Sequence, residues 1–319
     1  MTVWSRRQWR AMGSPSEILV YAENTEDADA LIDEALAETE RLEACWSRFR
    51  DDSELNELNG SDGRWYPTSP TLWEALDKAR SAWRMTDGLF DPTIHHRLLA
   101  LGYNRPFREI LTARAGLMDT TPSKSEARSV PANFGAVMFD DAARSALVPA
   151  TMGIDLGGIG KGLAADLVTT RLMDRGASSV CLSLGGDIRV RGPGPDADGA
   201  WNIDIQHPAD NRVLGAFALT EEALVQSTTL LRQWEHNGRM VHHIIDPRTG
   251  EPSCTDLIGA VVTGVDAWFA EVVAKTAVIL GSTDAMEFLI RCRVDGWLLH
   301  ENGSVTATAA VRNDLETPI

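Results

Sequence analysis

The stretch that decides the fold is Gly153-Ile-Asp-Leu-Gly-Gly-Ile-Gly-Lys-Gly-Leu-Ala-Ala-Asp166. It gathers five glycines around one lysine, Lys161, and a helical pattern begins at once. Glycine lets backbone N–H groups come close to a ligand, and a helix N-terminus adds unpaired donors and a partial positive charge. Lys161 adds a mobile point charge. The stretch therefore predicts a turn that binds a diphosphate, with a purely structural turn into a helix as the alternative.

Two common phosphate-binding loops do not match this stretch. A Walker A loop ends in Gly-Lys followed by Ser or Thr, but Lys161 is followed by Gly162. A dinucleotide fingerprint has the order G-x-G-x-x-G after a strand, and this order is absent from the stretch. The meaning of the motif must therefore come from the rest of the chain.

Composition limits the classes of ligand and location. The 319 residues carry 30 basic and 46 acidic side chains, a net charge of −16, which disfavours binding to nucleic acid or anionic lipid. No run approaches the ~18 apolar residues of a membrane span, and the arginines near the N-terminus precede no apolar run of a signal peptide. We expect a cytoplasmic protein with neither nucleic acid nor a membrane as partner.

The pattern of predicted elements indicates an α+β protein, because strands follow one another as often as they alternate with helices. Residues 104–135 contain several prolines and scattered charges, and they predict an irregular excursion from the core. Helices are predicted from Thr25, from Ser69-Pro70 to Gly88, from the glycine stretch to Gly176, and from Asp266 to Leu280. Strands are predicted at Ile18–Tyr21, Val137–Phe139, Ala146–Val148, Val180–Leu184, Ile188–Val190, Trp201–Ile205, Leu214–Leu219, His243–Ile245, Gly296–His300 and Val305–Thr308.

Five further segments share small residues, aspartates and turn formers. Each alone is ordinary turn chemistry, but their occurrence together with the glycine stretch is more informative. They are Met12–Ser14, Ser47–Phe49 with Asp52–Asn56, Thr86–Pro92, Ser183–Asp187 and His242–Gly250.

Together these segments resemble the ApbE family, the FAD:protein FMN transferases, from about Met12 to Gly281. Four family motifs occur along this chain in the same order as in the family. In the glycine motif, Gly160 replaces an alanine of the family pattern. The motifs are D-L-G-G-I-A-K-G at Asp155–Gly162, T-D-G-x-F-D-P at Thr86–Pro92, L-G-G-D at Leu184–Asp187, and H-I-I-D-P-x-T-G at His243–Gly250.

The resemblance implies a fold and an activity. The implied fold is a two-lobed, ApbE-like (tunnelling-fold-like) α+β architecture with mixed or antiparallel sheets and packed helices, as one domain over residues 1–319. The implied enzyme binds FAD with the aid of magnesium, breaks its pyrophosphate and joins FMN by a phosphoester bond to a threonine or serine of an acceptor flavoprotein. AMP is released. Two alternatives stay open: an FAD pyrophosphatase that gives FMN and AMP, and a non-catalytic FAD-binding protein.

Three residues are catalytic candidates. Lys161 would hold the pyrophosphate, and Asp155 would orient Lys161 or a metal, with a turn or cap as its alternative role. His243 is the candidate base or positioning group for the acceptor hydroxyl, because histidine titrates closest to neutral pH.

The candidate flavin and nucleotide contacts are spread over all the motifs. An apolar wall for the isoalloxazine is expected from Met12, Phe90 or Tyr103, each with core packing as the alternative. Asp187 would bond ribose, adenine or a backbone group, with a local turn as an equal alternative, and Asp246 would mainly shape the turn before Pro247. The full set is Met12, Glu54, Asn56, Phe90, Asp91, Tyr103, Gly157, Gly158, Lys161, Gly186, Asp187, His243 and Asp246.

The chain departs from the family at the implied magnesium site. The family run A-D-x-x-x-T appears as Ala270-Glu-Val-Val-Ala-Lys-Thr276, so Glu271 stands at the aspartate position and Lys275 at the threonine position. Gly160 would contribute a backbone carbonyl. Three interpretations are open. In the first, Thr276 supplies the missing hydroxyl to a retained metal, and we rank it first because Glu271 keeps a hard oxygen ligand. In the second, Lys275 takes the place of the metal, and in the third the site is inactive.

Overall fold

The computed structural model describes residues 3–114, 131–196 and 198–314. The chain divides into two compact units. Unit 1 comprises the described residues up to Arg41, together with Ile159–Leu230 and those from Thr255 onward. Unit 2 comprises the described residues of Leu42–Gly158 together with Leu231–Cys254.

The α-helices of the described ranges are α1 (Thr25–Trp46), α2 (Glu54–Asn59), α3 (Pro70–Met85), α4 (His95–Ala100), α5 (Phe107–Arg114), α6 (Gly160–Asp174), α7 (Ala267–Leu280) and α8 (Ser282–Cys292). Short 3-10 helices cover Pro92–Ile94, Phe134–Ala136 and Ala309–Asp314.

The strands are β1 (Val3–Ala11), β2 (Ser14–Ala22), β3 (Tyr66–Pro67), β4 (Met138–Asp140), β5 (Ser145–Leu147), β6 (Ser179–Leu184), β7 (Asp187–Arg191), β8 (Trp201–Gln206), β9 (Val213–Leu219), β10 (Ala223–Thr228), β11 (Gln233–His236), β12 (Arg239–His242), β13 (Ile245–Asp246), β14 (Glu251–Pro252), β15 (Leu257–Gly264), β16 (Gly296–His300) and β17 (Val305–Ala307).

Unit 1 is built on an antiparallel sheet, whose strands in the described part of the chain run in the order β1-β2-β6-β7-β10-β15-β16-β17. Successive side chains of β6 are buried, which requires cover on both faces of the sheet because neighbouring side chains point to opposite faces. The β8–β9 hairpin packs Phe217 against Trp297, with ring centroids 4.5 Å apart. Helices α6 and α7 pack on the sheet and on each other.

Unit 2 combines helices with small sheets. Its three-stranded sheet has the order β3-β5-β4, and the β11–β12 and β13–β14 pairs form two further ribbons. One core cluster joins Leu98 and Tyr103 to Trp234 and Val241. Helix α3 begins as predicted, since the Ser69 hydroxyl accepts a hydrogen bond from Leu72 N (3.1 Å) and Pro70 is the first helical residue.

The predicted α+β class is confirmed. The predicted strands and helices are present, with one exception: in the predicted strand His243–Ile245 only Ile245 lies in a strand. Helix α5 covers part of the predicted irregular excursion at 104–135, of which residues 115–130 lie outside the described ranges. The elements that were not predicted are strands β1, β3, β10, β11, β12, β14 and β15 and helices α2, α4, α5 and α8. Among the described helices, none combines the length and apolar character that crossing a bilayer needs.

Candidate functional site

The glycine stretch leads into α6 as the sequence predicted. The helix begins at Gly160, so Lys161 lies in its first turn, and Leu163 N donates the first helical hydrogen bond to Ile159 O (3.0 Å). The first N–H groups of a helix have no partner within that helix. Gly158 ends a segment of unit 2 and Ile159 begins a segment of unit 1, so the stretch passes from one unit into the other.

Two glycines of the stretch serve local structure. Gly157 N donates to Asp155 Oδ1 (2.6 Å), which closes a tight turn. A Cβ on Gly162 would lie 2.5 Å from the carbonyl oxygen of Ala267, so the glycine allows α6 to approach the start of α7. Gly162 therefore has the structural role that we named as the alternative to ligand binding.

Two hairpin turns of unit 1 lie beside Lys161. Met12 and Gly13 form the β1–β2 turn, and Gly185 and Gly186 form the β6–β7 turn, all with positive φ. The two turns are joined because Gly185 N donates to Pro15 O (3.0 Å). A Cβ on Gly185 would lie 3.5 Å from Lys161 Cδ, which shows how closely the lysine stem passes this turn.

At the same place, two lysines and two carboxylates form a compact group that we call the lysine–carboxylate cluster: Lys161, Asp187, Glu271 and Lys275. Lys161 Nζ pairs with Asp187 and lies 2.9 Å from Glu271 Oε1, and Lys275 Nζ lies 2.8 Å from the same oxygen. Glu271 Oε2 accepts a hydrogen bond from Gly162 N (2.9 Å). The Glu271 side chain has 0% and Asp187 3% exposure, whereas each lysine side chain keeps 14%.

The pKa values within the cluster reflect burial and charge. Burial alone would raise the pKa of Glu271, but Lys161 and Lys275 overcome it and lower the pKa to about 2. Burial raises the pKa of Asp187 to about 6 against the attraction of Lys161. Burial also lowers the pKa of Lys275 against the attraction of Glu271. We infer that Glu271 is ionised and that its charge holds the two ammonium groups in place.

The predicted metal-site residues lie around this cluster. Gly160 begins α6, and Thr276 is fully buried with its hydroxyl donating to Val272 O (2.8 Å) in its own helix. Thr276 therefore uses its only hydroxyl proton on the backbone of α7, while Lys275 contacts Glu271. Within the residues that the structure describes, no group of three or more His, Cys, Asp or Glu side chains is arranged to hold a metal ion.

A carboxylate that the sequence did not single out as a functional residue, Asp166, fixes the position of α7. Its two oxygens accept hydrogen bonds from Ala267 N (2.9 Å) and Trp268 N (3.0 Å), the first N–H groups of α7. Arg189 Nε lies 3.2 Å from Asp166 Oδ1. Burial raises the pKa of Asp166 to about 6 despite these contacts. The helix that carries Glu271 and Lys275 is thus anchored to the helix that carries Lys161.

In unit 2, Asp155 pairs with a buried arginine that sequence reasoning left out of the site. Arg48 Nε lies 2.5 Å from Asp155 Oδ2, and Arg48 Nη1 donates to Tyr103 O (2.7 Å). Burial lowers the pKa of the neighbouring His95 to about 4, in spite of the Asp155 charge. Arg48 Nη2 and His95 Nδ1 have no hydrogen-bond partner among the described residues. The Ser-Arg-Phe motif at 47–49 was the sequence signal that could have identified Arg48 as a site residue.

The aromatic candidates of unit 2 are buried in its interior. Tyr103 is 4% exposed and packs against Trp234, with ring centroids 5.1 Å apart. Phe90 is 7% exposed, and its N–H donates to the Thr86 hydroxyl (3.0 Å). Asp91 accepts hydrogen bonds from Thr93 N (2.8 Å) and from the N–H of residue 134 (2.9 Å), and burial raises its pKa. These contacts match the core-packing alternative, and a flavin contact for these residues stays a prediction.

The polar candidates Glu54 and Asn56 hold local structure. Glu54 accepts hydrogen bonds from Ser69 N (2.5 Å) and from the Ser69 hydroxyl (2.5 Å), at the start of α3. Asn56 Nδ2 donates to Arg48 O (3.0 Å) and Arg50 O (2.8 Å), which fixes the loop that carries Arg48. Through that loop, Asn56 positions the arginine that pairs with Asp155.

The last motif places His243 between β12 and β13, where it is half-buried. Asp246 O accepts a hydrogen bond from Gly250 N (2.8 Å), and its carboxylate pairs with Arg248 (2.8 Å). Asp246 thus shapes the turn that we predicted for it.

The structure brings one group of predicted site residues into contact, and this group lies in unit 1. In unit 1 these are Lys161, Asp187, Glu271 and Lys275, beside Gly160, Gly186 and the turn that contains Met12. The pairing of Asp187 with Lys161 was not among the roles we predicted for it. Unit 2 holds Asp155, Gly157, Gly158, Glu54, Asn56, Phe90, Asp91, Tyr103, His243 and Asp246.

The fold and this site define an α+β protein whose antiparallel sheet supports a lysine at a helix N-terminus, held by two buried carboxylates. The model of the ApbE family matches residues 12–296, and the chain belongs to the ApbE family, as the sequence motifs predicted.

Named relatives agree with this membership. The chain is similar to the FAD:protein FMN transferase of Klebsiella pneumoniae (strain 342), with 27% identity over 263 residues, covering 80% of this chain and 76% of the relative. Its fold is similar to the crystal structure of the ApbE protein of Thermotoga maritima (TM-score 0.85, 22% identity, 99% of this chain and 100% of that chain). It is also similar to the apo form of the flavinyl transferase ApbE of Pseudomonas stutzeri (TM-score 0.81, 20% identity, 100% and 98%).

Proposed function

We propose that this chain is an FAD:protein FMN transferase, which moves FMN from FAD to a threonine or serine of an acceptor flavoprotein and releases AMP. The observation that carries the proposal is the lysine–carboxylate cluster, because it sets the Lys161 ammonium in the first turn of α6 within a family motif. The name of the Klebsiella pneumoniae relative supports the same activity.

The proposed reaction is an attack by the acceptor hydroxyl oxygen on the phosphorus that carries the riboflavin side of FAD. A new P–O bond to the acceptor forms, the P–O bond of the anhydride breaks, and AMP takes the electron pair of that bond. The hydroxyl proton passes to a base. Such a transfer needs neutralisation of charge on the phosphoryl oxygens and a positioned hydroxyl rather than a covalent intermediate.

The chain's own residues supply these needs in the proposed mechanism. Lys161 binds the phosphoryl oxygens at the N-terminus of α6, where the helix dipole adds a partial positive charge. Asp155, tied to Arg48, holds the turn that precedes α6. His243 takes the hydroxyl proton or positions the hydroxyl, a role that rests on its family motif.

Magnesium, which the family resemblance implies, does not fit the residues present. A magnesium ion prefers six oxygen ligands at ~2.1 Å. Here the nearest groups to Glu271 Oε1 are two ammonium nitrogens, at 2.9 and 2.8 Å, and Glu271 Oε2 is bonded to Gly162 N. No step of the proposed reaction therefore passes through a metal.

The proposal is tested by following both products. The purified chain is incubated with FAD, with and without a protein extract of the source organism, and AMP is measured by chromatography. A transferase releases AMP in step with flavin fluorescence that stays on a protein band after denaturation. AMP release from FAD alone would instead indicate the pyrophosphatase, and bound but intact FAD under every condition would indicate a non-catalytic flavin-binding protein.

A further inference from the structure

The lysine–carboxylate cluster has an inner and an outer layer. Its carboxylates are the inner layer, with side-chain exposures of 0% for Glu271 and 3% for Asp187. Its ammonium groups are the outer layer, since Lys161 and Lys275 each keep 14%. The two charges of each sign balance within the cluster, but the lysine side chains are its more exposed members.

Lys275 is held on this outer layer by helix geometry. Residues four apart on a helix share a face, so Lys275 lies on the same face of α7 as Glu271. The Lys275 Nζ atom lies 2.8 Å from Glu271 Oε1. Thr276 is one residue further along, about 100° around the helix, and its hydroxyl is bonded to Val272 O. On α7, the positive charge beside Glu271 is therefore the ammonium group of Lys275, a group of the protein itself.

A buried carboxylate normally requires a positive partner, and a metal ion is one way to provide it. Glu271 already has two ammonium partners on one oxygen and a backbone N–H on the other. A divalent ion placed there would be repelled at close range by both lysines. An ammonium keeps three donors, and one from Lys275 goes to Glu271, which leaves donors for an anion.

We propose that Lys275 takes the place of a divalent cation, so that Lys161 and Lys275 together bind the diphosphate of FAD and the chain needs no metal to do so. This inference rests on the proposed function for the identity of the ligand. The inference makes Lys275 the residue that decides whether the site requires a metal ion.

The first test uses the unaltered chain. FAD affinity is measured by calorimetry after treatment with EDTA and again in the presence of Mg²⁺, and Mn²⁺ binding is followed by electron paramagnetic resonance. We expect equal FAD affinity in both conditions and no protein-bound Mn²⁺. A tenfold or greater loss of FAD affinity on EDTA treatment, or a bound Mn²⁺ signal that Glu271→Gln removes, would overturn the inference.

The second test exchanges Lys275. Lys275→Met is expected to weaken FAD binding by about ten- to a hundredfold, as the loss of one charge-assisted hydrogen bond predicts, whereas Lys275→Arg keeps most of the affinity. Lys275→Thr places a hydroxyl beside Glu271 and is expected to make FAD binding respond to Mg²⁺. The matched control, Lys78→Met on α3, leaves the affinity unchanged. Lys275→Met that folds, as judged by circular dichroism, and binds FAD as tightly as the parent would contradict the inference.

The two proposals fail in different ways. FAD that binds without metal but is never cleaved contradicts the transferase and leaves the role of Lys275 supported. Cleavage of FAD that stops in EDTA contradicts the role of Lys275 and leaves the transferase standing. A chain that binds no FAD in either condition overturns both.

Discussion

Lys161 and Lys275 lie on different helices and contact one oxygen of Glu271, at 2.9 and 2.8 Å. The sequence alone predicted a phosphate-binding role for Lys161 from its glycines, since this signal is local. It connected Glu271 and Lys275 to the same site only through the family motif, because no periodicity links residues 110 positions apart in the chain. The pairing of Lys161 with Asp187 depends on the three-dimensional meeting of α6 with the β6–β7 turn, and it was not predicted.

At the residue scale, we predict that Lys161→Ala weakens FAD binding by about ten- to a hundredfold, since it removes one ammonium from the proposed diphosphate site. It also leaves Asp187 buried beside one cation fewer, so the free energy of unfolding is expected to fall by about 3 kcal/mol. Calorimetry measures the affinity, and urea unfolding measures the stability.

The control is Arg175→Ala at the other end of α6, where the side chain is 60% exposed. This variant also loses one positive charge, yet it should keep both the affinity and the stability of the parent. Unchanged affinity in Lys161→Ala would remove Lys161 from the diphosphate site.

At the element scale, the site depends on the contact between α6 and α7. The sequence placed both helices closely, because their lengths and end signals are clear. It did not reveal that Gly162 serves this contact, since a glycine that admits a ligand and one that admits a helix look the same in sequence. Strands β10 and β15 were missed because short runs of buried residues lack the alternation that identifies a half-buried strand.

At the same scale, Asp166 predicts a pH dependence of stability. Burial raises its pKa from 3.8 to about 6, so between these values the folded state binds more protons than the unfolded state. Its contribution to the free energy of unfolding is therefore largest below about pH 4 and decreases by up to about 3 kcal/mol as the pH rises through 6. The Asp166→Asn variant lacks this pH-dependent contribution to the free energy of unfolding.

The measurement is the difference in unfolding free energy between the parent and Asp166→Asn across this pH range, which cancels the other titrating groups. The parent should lose its relative advantage as the pH rises. The control variant is Asp174→Asn, an exposed carboxylate at the end of α6, which should run parallel to the parent. A difference for Asp166→Asn that does not change with pH would contradict the assignment.

At the scale of the whole molecule, the class of fold was predictable, and the assignment of separate chain segments to the two units was not. Runs of strands interrupted by helices indicate α+β from sequence alone. The division places residues 42–158 with 231–254, segments far apart in the chain, and no local pattern reports such an association. The same applies to β1, whose polar side chains gave little signal, although it forms an edge of the main sheet.

The net charge of −16 gives a prediction for the whole chain. Excess charge of one sign repels itself in the compact state, and salt screens this repulsion. The thermal midpoint of unfolding is therefore expected to rise when NaCl is increased from low to physiological ionic strength. An equal osmolarity of an uncharged solute is the control, and a midpoint that falls with salt would show that attractive surface pairs outweigh the repulsion.

Asp166 joins the first residues of α7 to α6, and Gly162 brings the two backbones into contact, so the separation of the two lysine-bearing helices is set by a buried carboxylate and by close main-chain packing. The conformational entropy that is lost when the two ammonium groups are brought together is therefore lost during folding. An anion bound at the proposed site would meet donors that are already held in place, and less of its interaction energy would be spent on ordering them.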